Sequence, residues 1–332
     1  MRFKEIHLVK EGDILAKALY DNESRLLINK NIKLTNSFIK KIKDYGIQGI
    51  YVEDEISENI DINLDITPEL KAETIVHLKT LNIDKTLEDA KKIVKILKES
   101  NEFCNYINIK TFDNYTYEHS LSVSIFATII GIACDYSEKE LENLSLAGLL
   151  HDLGKRAIDD EIINKPSKLT PEEYEIIKSH SQIGYNILQD DYLISSTVKT
   201  SILEHHENED GTGYPRGLKS NNIYKFAKII HIVDVYDALI SKRPYKEPFS
   251  PKEAIDYIVQ NTNTMFDEKY VEVFLKVIPA YPKGVLVKLS NGESGIVIEN
   301  YQGFVLRPKI LLLNGKTISL KDDKDYQQIE II

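Results

Sequence analysis

The chain has 332 residues, a hydrophobic share of 42% and a charged share of 28%, which is ordinary for a globular protein of about two domains. Its formal net charge of −10 argues against the basic face that nonspecific nucleic-acid binding requires, and two cysteines are too few for a disulfide framework. The first residues lack a sustained apolar core, and the longest uncharged apolar stretch, 124–134, is too short to span a bilayer. We therefore expect a cytoplasmic protein without a signal peptide, a membrane span or a nucleic-acid partner.

Residues 1–66 predict a small α/β module that ends in a linker. Thr35 is suited to cap a helix that runs to about Tyr45, Gly46 ends that helix, and the IQGIYV that follows predicts a closing strand. The acidic stretch 57–67 is typical of a linker. The module carries no phosphate loop and no cofactor motif. We expect a regulatory or dimerisation role for it, with a specific ligand sensor as the alternative.

Residues 67–280 predict a helical domain that begins with two lead-in helices over 68–108. Thr67 followed by Pro68 is typical of a helix start, and the apolar stripe of the second lead-in helix fits either a core or a dimer seam. The predicted helices cover about 68–81, 85–108, 115–133, 137–152, 170–188, 195–207, 223–242, 251–261 and 267–278.

From Tyr281 onward, apolar residues recur at every second position, which is typical of strands. GVLVKLSNGESGIVIEN, at 284–300, predicts a hairpin, and PKILLLNGKTISL, at 308–320, repeats the pattern. We interpret residues 281–332 as a small β-barrel or β-sandwich. The predicted fold is therefore mainly α, a helical bundle with a small N-terminal α/β module and a small C-terminal all-β module.

A His–Asp pair, His151 and Asp152, stands at the end of the apolar run that leads into LLHDLGK. Such a pair offers a metal ion a ring nitrogen and a carboxylate oxygen, although an isolated pair is more often a surface or capping pair. This pair is not isolated, because further candidate ligands lie on predicted helices, or at their ends, on both sides of it. The seven candidates are His119, His151, Asp152, His180, His205, His206 and Asp234.

Five imidazoles and two carboxylates suit a two-metal site for phosphodiester hydrolysis. That reaction needs an activated water and neutralisation of the negative charge that develops, and two divalent ions joined by a bridging carboxylate provide both. Nitrogen and oxygen ligands without a thiolate favour Fe, Mn, Zn or Co and argue against a structural zinc site.

Four stretches of the helical domain carry a more specific pattern. They are HDLGK at 151–155, KPSKLTPEE at 165–173, HHENEDGTGYPRGL at 205–218, and VDVYDAL with the RPY after it at 233–245. Together they resemble the HD-GYP family, a branch of the HD superfamily of metal-dependent phosphohydrolases whose members hydrolyse cyclic di-GMP. The resemblance covers about Tyr115 to Ile278 and implies an HD-type helical bundle there. It does not cover the two flanking modules.

The resemblance implies roles for the matching residues. The seven candidates match the family's metal-ligand positions, with Asp152 bridging two divalent ions, Fe or Mn. Lys155 matches the lysine that contacts the scissile phosphate, which makes it and Asp152 the implied catalytic residues. Arg243 and Lys246 match basic positions that hold substrate phosphate, and Tyr214 matches a position in the substrate groove. Without the resemblance, we would interpret the two basic residues as a solvated helix end and Tyr214 as a loop packing residue.

The activity implied is that of a phosphodiesterase in which a metal-bridging hydroxide opens cyclic di-GMP to linear pGpG, with further hydrolysis to GMP left open. One alternative is another cyclic dinucleotide such as cyclic GMP-AMP, because the sequence does not locate the side chains that read the bases. Another is a weakly catalytic cyclic di-GMP sensor, against which the complete ligand set argues.

The implied partners are cyclic di-GMP, diguanylate cyclases of the GGDEF type through the GYP loop (residues 205–218), and a second copy of the chain.

One position differs from family members that bind three metals, which carry a Glu one turn before the first His. Tyr115 stands there, and Glu118 lies about 100° round the helix from His119. We therefore predict two metal ions per chain and pGpG as the main product. Elemental analysis of metal-reconstituted protein should give a ratio of two, and a ratio of three would contradict this prediction.

Overall fold

A computed structural model of the chain describes residues 1–21, 23–54, 56–57, 60, 62, 66–100, 115–165, 167–241 and 247–332, with Tyr115 described in its backbone alone. The chain divides into two compact units. Unit 1 comprises Met1–Thr80, Glu99–Glu118 and Leu275–Ile332, and unit 2 comprises Leu81–Lys98 and His119–Phe274. The predicted domain boundaries near residues 67 and 281 stay a prediction.

Helices form most of the regular structure in the described chain, which confirms the prediction of a mainly α fold. In chain order they are α1 Asn36–Asp44, α2 Pro68–Lys79, α3 Ile83–Glu99, α4 Tyr115–Ala133, α5 Glu138–Leu150, α6 Asp160–Ile163, α7 Pro171–Lys178, α8 His180–Leu188, α9 Ser196–Glu204, α10 Lys225–Ile240, α11 Pro251–Gln260 and α12 Glu268–Val277. A 3-10 turn covers Leu153–Ala157. No helix among the described residues has the length and apolar character needed to cross a membrane.

Strands lie near both ends of the chain, as the sequence predicts. They are β1 Arg2–Glu5, β2 Ile14–Leu15, β3 Leu19–Tyr20, β4 Leu26–Ile28, β5 Gly49–Glu53, β6 Leu286–Lys288, β7 Ser294–Glu299, β8 Lys309–Leu312 and β9 Thr317–Ser319. The sheet orders are β1-β5-β2, β3-β4 and β6-β7-β8-β9, and all the pairings are antiparallel. The C-terminal module is thus a four-stranded meander.

Capping side chains set several of the predicted helix starts. The Thr35 hydroxyl accepts a hydrogen bond from the backbone N–H of Phe38 at the start of α1, and Thr67 caps α2 in the same way. Thr170 and Glu173 form a reciprocal capping box at the start of α7. Such caps satisfy N–H groups that a helix leaves unpaired, and losing one costs about 1 kcal/mol.

The single helix predicted over 170–188 is wrong in one respect, because the structure divides it at Ser179 into α7 and α8. The Ser179 hydroxyl donates to the carbonyl of Ile176 at 2.6 Å. A serine that bonds to the backbone in this way competes with the helical hydrogen bonds. The break leaves His180 directly after the end of α7.

Two further boundaries differ from the sequence prediction. The second lead-in helix, predicted over 85–108, is observed as α3 and ends at Glu99, and residues 101–114 lie outside the described part. The short helix α6 forms between the predicted helices 137–152 and 170–188, where the Asp159 carboxylate accepts from the backbone N–H of Glu161. A helix of four residues is too short to show an apolar period, so the sequence pattern did not predict it.

In unit 1 the N-terminal and C-terminal modules pack on each other. The backbone N–H of Phe3 donates to the carbonyl of Gly284 at 3.0 Å. Tyr51 and Ile62 share a buried cluster with Ile296 from β7. The sequence predicts two separate β patterns but not their common core, because packing between distant segments leaves no local pattern.

Two glycines let elements of unit 2 approach closely. A Cβ on Gly148 in α5 would lie 2.6 Å from the Cα of Ser124 in α4. A Cβ on Gly154 would lie 1.9 Å from the carbonyl oxygen of His180. Neither contact can be relieved by rotating a side chain. Gly148 therefore sets the spacing of α4 and α5, and Gly154 sets the approach of the 3-10 turn to α8.

Gly148→Ala should lower the free energy of unfolding by about 1–3 kcal/mol, because the added methyl group forces two helix backbones apart. Gly131→Ala in α4 is the matched control. There the new Cβ would meet the ends of the Leu144 and Leu141 side chains, at 2.8 and 2.9 Å, which can move. Its cost should be offset by a gain in helix propensity of about 1 kcal/mol. Chemical denaturation measures both, and equal losses of stability would contradict the assignment.

Candidate metal centre

Buried imidazoles and carboxylates of unit 2 meet in one cluster. Within each of three groups, the ligand atoms all lie within 4.8 Å of one another. One group is His119, His151 and Asp152; another is His180, His205 and His206; the third is His151, His205 and Asp234. The fold therefore brings together all seven candidate ligands, from α4, α8 and α10 and from the ends of α5 and α9.

Helix ends fix the orientation of three of the rings. Nδ1 of His151 donates to the Gly148 carbonyl at 2.9 Å, Nδ1 of His180 to Ile177 at 2.7 Å, and Nδ1 of His205 to Ile202 at 2.7 Å. The accepting carbonyls belong to the last turns of α5, α7 and α9, where a helix leaves carbonyls without an internal partner. Since a carbonyl only accepts, the proton of each neutral ring is at Nδ1, and Nε2 is left as the ligating nitrogen.

These Nε2 atoms face positions without a protein donor. Nε2 of His180 and Nε2 of His205 lie 3.2 Å apart, and both carry lone pairs in these tautomers. Nε2 of His151 and Oδ1 of Asp152 are buried and have no hydrogen-bond partner. Each unpaired buried polar atom costs about 1–3 kcal/mol. A bound divalent cation would remove that cost, so the residues present fit a metal.

Asp152 faces two of the groups. Its Oδ2 lies 3.4 Å from Nε2 of His151 and 3.9 Å from Nε2 of His119, whereas its Oδ1 lies 3.4 Å from Nε2 of His180. Lys155 places its Nζ 2.6 Å from the same Oδ2. A carboxylate with one oxygen toward each group is positioned as a bridge between two ions would be.

Helix α10 supplies two carboxylates to His119. Nε2 of this ring lies 2.9 Å from Oδ1 of Asp234, and its Nδ1 donates to Oδ2 of Asp237 at 2.6 Å. Asp237 is fully buried. It therefore does for His119 what the helix-end carbonyls do for the other rings, since it holds the proton at Nδ1 and leaves Nε2 to ligate. The other oxygen of Asp234 lies 3.9 Å from Nδ1 of His206.

Burial keeps one group of rings neutral. It lowers the pKa of His180, and it lowers the pKa values of His205 and His206 well below the usual range, because a buried imidazolium loses its solvation. Neutral imidazole is the form that ligates a metal. His151 differs: burial opposes its protonation, but the Asp152 carboxylate outweighs burial and raises the pKa of this ring.

The two carboxylates stay ionised inside the cluster. Burial alone would raise the pKa of Asp152, but the charges of Lys155 and His151 outweigh it and hold that pKa well below its usual range. Burial also opposes ionisation of Asp234, but the contact with the His119 ring outweighs it, so this pKa too lies well below its usual range. Anionic oxygens beside the neutral rings of His180, His205 and His206 form a donor set that attracts divalent cations.

The GYP loop, residues 205–218, brings Tyr214 against the cluster. The rings of Tyr214 and His206 stack with centroids 4.7 Å apart and an interplanar angle of 28°. The backbone N–H of Tyr214 donates to the carbonyl of His206 at 3.1 Å. A Cβ on Gly213 would lie 2.3 Å from the backbone N of Asn208, so a glycine is required where the loop folds back.

Buried carboxylates hold this loop in place. Glu207 accepts from the backbone N–H of Arg216 at 2.7 Å and from that of Leu218 at 2.8 Å. Glu204 accepts from the guanidinium of Arg216 and, at 2.7 Å, from the backbone N–H of Tyr224. The glutamate of the HHE sequence thus fixes the loop backbone, and with it the position of the Tyr214 ring.

The sequence reasoning missed Asp237, which bonds directly to His119, and the pair His231 and Asn208, which lies beside the cluster. Nε2 of His231 donates to Oδ1 of Asn208 at 3.0 Å, and the His231 ring lies 6.1 Å from that of His206. Burial lowers the pKa of His231 to about 4. The sequence could have indicated His231 and Asp237. They lie three positions before and three positions after Asp234, so all three residues share one face of α10.

The remaining predicted residues lie apart from the cluster or outside the described chain. Arg243 and Lys246 belong to the undescribed segment 242–246. Glu118 pairs with Lys71 at 3.0 Å, within unit 1. The side chain of Tyr115 is not described, so the number of metal ions stays a prediction.

The candidate ligands lie within a region that matches a known protein family. Residues 92–270, more than half of the chain, match the family model described as the HD domain. The chain belongs to the HD domain family. The match covers every one of the seven candidate ligands.

Relatives of this HD-domain chain include proteins named as phosphodiesterases. A cyclic di-GMP phosphodiesterase of Pseudomonas aeruginosa is 38% identical over 215 residues, which are 65% of this chain and 52% of the relative. A 3'3'-cGAMP-specific phosphodiesterase of Vibrio cholerae is 29% identical over 240 residues, which are 70% of this chain and 46% of the relative. The chain thus spans about half the length of these relatives.

A solved structure shares the fold. An HDG"Y"P protein from Bdellovibrio bacteriovorus aligns with a TM-score of 0.58 at 16% identity, over 82% of this chain and 97% of that one. These matches confirm the predicted HD-type helical bundle and place the sequence resemblance within the HD domain family.

Asp237→Asn should weaken metal binding by the HD domain about 10- to 100-fold, because an amide no longer fixes the His119 proton at Nδ1. Competition with a chromophoric chelator measures the affinity. Asp256→Asn, at an exposed position of α11, is the matched control and should bind metal as the unmodified protein does. If both variants had the same metal affinity, the role given to Asp237 would be wrong.

Proposed function

We propose that the chain is a metal-dependent phosphodiesterase that hydrolyses cyclic di-GMP to linear pGpG. The observation that carries this proposal is the position of Asp152, which directs one carboxylate oxygen toward His151 and the other toward His180 within the histidine cluster. Such an arrangement suits paired divalent ions, the usual solution for phosphodiester hydrolysis near neutral pH. The name of the Pseudomonas aeruginosa relative supports cyclic di-GMP as the substrate.

The metal ligands proposed are His119, His151, Asp152, His180, His205, His206 and Asp234. They would hold two divalent ions, Fe or Mn, since nitrogen and oxygen donors without a thiolate suit these metals. When bound, the ions would activate a water and neutralise the charge that develops on the phosphate.

Lys155 contributes a positive charge beside the metal ligands. Its ammonium group is held 2.6 Å from Asp152, and 28% of its side chain remains exposed, so substrate can reach it. A fixed cation at this position stabilises the extra negative charge on the scissile phosphate in the transition state. We assign Tyr214 to the wall of the substrate groove because its ring stacks on His206. Arg243 and Lys246 are proposed as phosphate contacts on the family resemblance alone.

Three further proposals follow from the sequence and from the family resemblance. The first is a cytoplasmic location, where a bacterial second messenger would be degraded. The second is a homodimer. The third is contact between the GYP loop, residues 205–218, and diguanylate cyclases of the GGDEF type.

Cyclic GMP-AMP is the second candidate substrate, and the Vibrio cholerae relative favours it. The two cyclic dinucleotides share their sugar-phosphate ring and differ in one purine. The metal ligands and Lys155 would therefore act on both alike, and side chains that contact the bases would decide between them.

Turnover of cyclic di-GMP should be followed by chromatography after anaerobic purification with Mn or Fe(II) supplied. The unmodified protein should release pGpG. His151→Ala and Asp152→Ala should each reduce turnover by about 100-fold or more, because each removes a proposed ligand. His7→Ala, which alters a histidine whose side chain is 67% exposed in unit 1, is the matched control and should retain activity.

The same assay should include cyclic GMP-AMP. Turnover of this nucleotide alone would favour the second candidate. A folded, metal-loaded protein that leaves both nucleotides intact would contradict the proposed activity.

A further inference from the structure

A lysine between two tyrosine rings lies beside the candidate metal centre. Lys178 is the last residue of α7, and its Nζ lies 4.8 Å from the centroid of the Tyr174 ring and 5.7 Å from that of Tyr214. Tyr214 in turn stacks on His206. The ammonium group therefore lies near the same tyrosine ring that stacks on a proposed metal ligand. We call Tyr174, Lys178 and Tyr214 the tyrosine–lysine cluster.

Local structure fixes the position of this cluster. Tyr174 and Lys178 are four residues apart on α7, so their side chains share one face of the helix. The position of Tyr214 is fixed by the hydrogen bond from its backbone N–H to the carbonyl of His206. Cations are attracted to the faces of aromatic rings, so the two tyrosines orient the ammonium group without neutralising it.

The cluster is open to a ligand. Tyr174 is 48% exposed, and 27% of the Lys178 side chain is exposed. Lys178 also forms an ion pair with Glu175 at 2.6 Å, but the side chain of Glu175 is 68% exposed. Exposed pairs of this kind contribute little to stability, so a phosphate can replace the carboxylate at low cost.

We propose that Lys178 binds the second, non-scissile phosphate of the cyclic dinucleotide, an inference that rests on the proposed function. The substrate ring contains two phosphodiesters, and while one is cleaved the other carries a negative charge a short distance away. Lys155 is held at Asp152 and serves the scissile phosphate. Lys178, next to the Tyr214 ring that stacks on His206, supplies positive charge for the second phosphate. Lys178 is thus a substrate-positioning residue.

Two substitutions should change KM in opposite directions. Lys178→Gln should raise the KM for cyclic di-GMP about tenfold with little change in kcat, because it removes a charge-assisted hydrogen bond that is formed alike in the bound substrate and the transition state. Lys178→Arg should keep most of the affinity. Glu175→Gln should lower KM, because it removes the carboxylate that competes with the phosphate. A purely structural ion pair would not give a gain from one partner and a loss from the other.

Lys139→Gln is the matched control. Lys139 lies on α5, pairs with Glu142 at 3.3 Å across three positions, and has a side chain that is 70% exposed. Its loss should leave the KM for cyclic di-GMP as in the unmodified protein.

A substrate with one phosphodiester separates this inference from the proposed function. For Lys178→Gln, kcat/KM should fall about tenfold more for cyclic di-GMP than for bis(p-nitrophenyl) phosphate, which has no second phosphate. Equal losses on both substrates, or an unchanged KM for cyclic di-GMP, would overturn the role of Lys178 and leave the proposed function standing. If the unmodified protein cleaved bis(p-nitrophenyl) phosphate but not cyclic di-GMP, the proposed function would fall, and this inference with it.

Discussion

The hydrogen bond from a ring Nδ1 to a helix-end carbonyl determines the chemistry of the whole cluster. It recurs at His151, His180 and His205. Each bond satisfies a carbonyl that the helix leaves free, and each leaves a lone pair at Nε2. The same hydrogen bonds that stabilise the helix ends therefore leave several buried Nε2 lone pairs close together. A bound cation would satisfy these lone pairs. Metal binding and folding should accordingly stabilise each other.

Close packing between backbones also brings the candidate ligands together. The carbonyl of Gly148 accepts from His151, and the missing side chain of the same residue lets α5 lie against α4. Gly154, three residues after His151, lets the turn that follows Asp152 meet the backbone of His180. The glycines of unit 2 thus bring ligands from separate helices within a few Å, which explains how a bundle of ordinary helices encloses so polar a centre.

Much of the fold and the candidate ligands could be predicted from the sequence, because capping residues and apolar period are local signals. Thr35 and Thr170 mark helix starts that the structure reproduces. The break at Ser179 could not be predicted, since no glycine or proline stands there to mark a helix end. Asp237 was missed because an aspartate at that spacing equally suits a solvated helix face. The common core of the two terminal modules joins distant segments, which no local pattern reveals.

Anomalous diffraction from crystals grown with Mn(II), recorded near the manganese absorption edge, tests the central claim most directly. The account predicts two peaks on opposite sides of the Asp152 carboxylate, roughly 3.5–4 Å apart as in other two-metal sites. One peak should lie next to His119 and the other next to His180. Crystals of folded protein without a peak at Asp152, or with peaks only at surface carboxylates, would contradict the account.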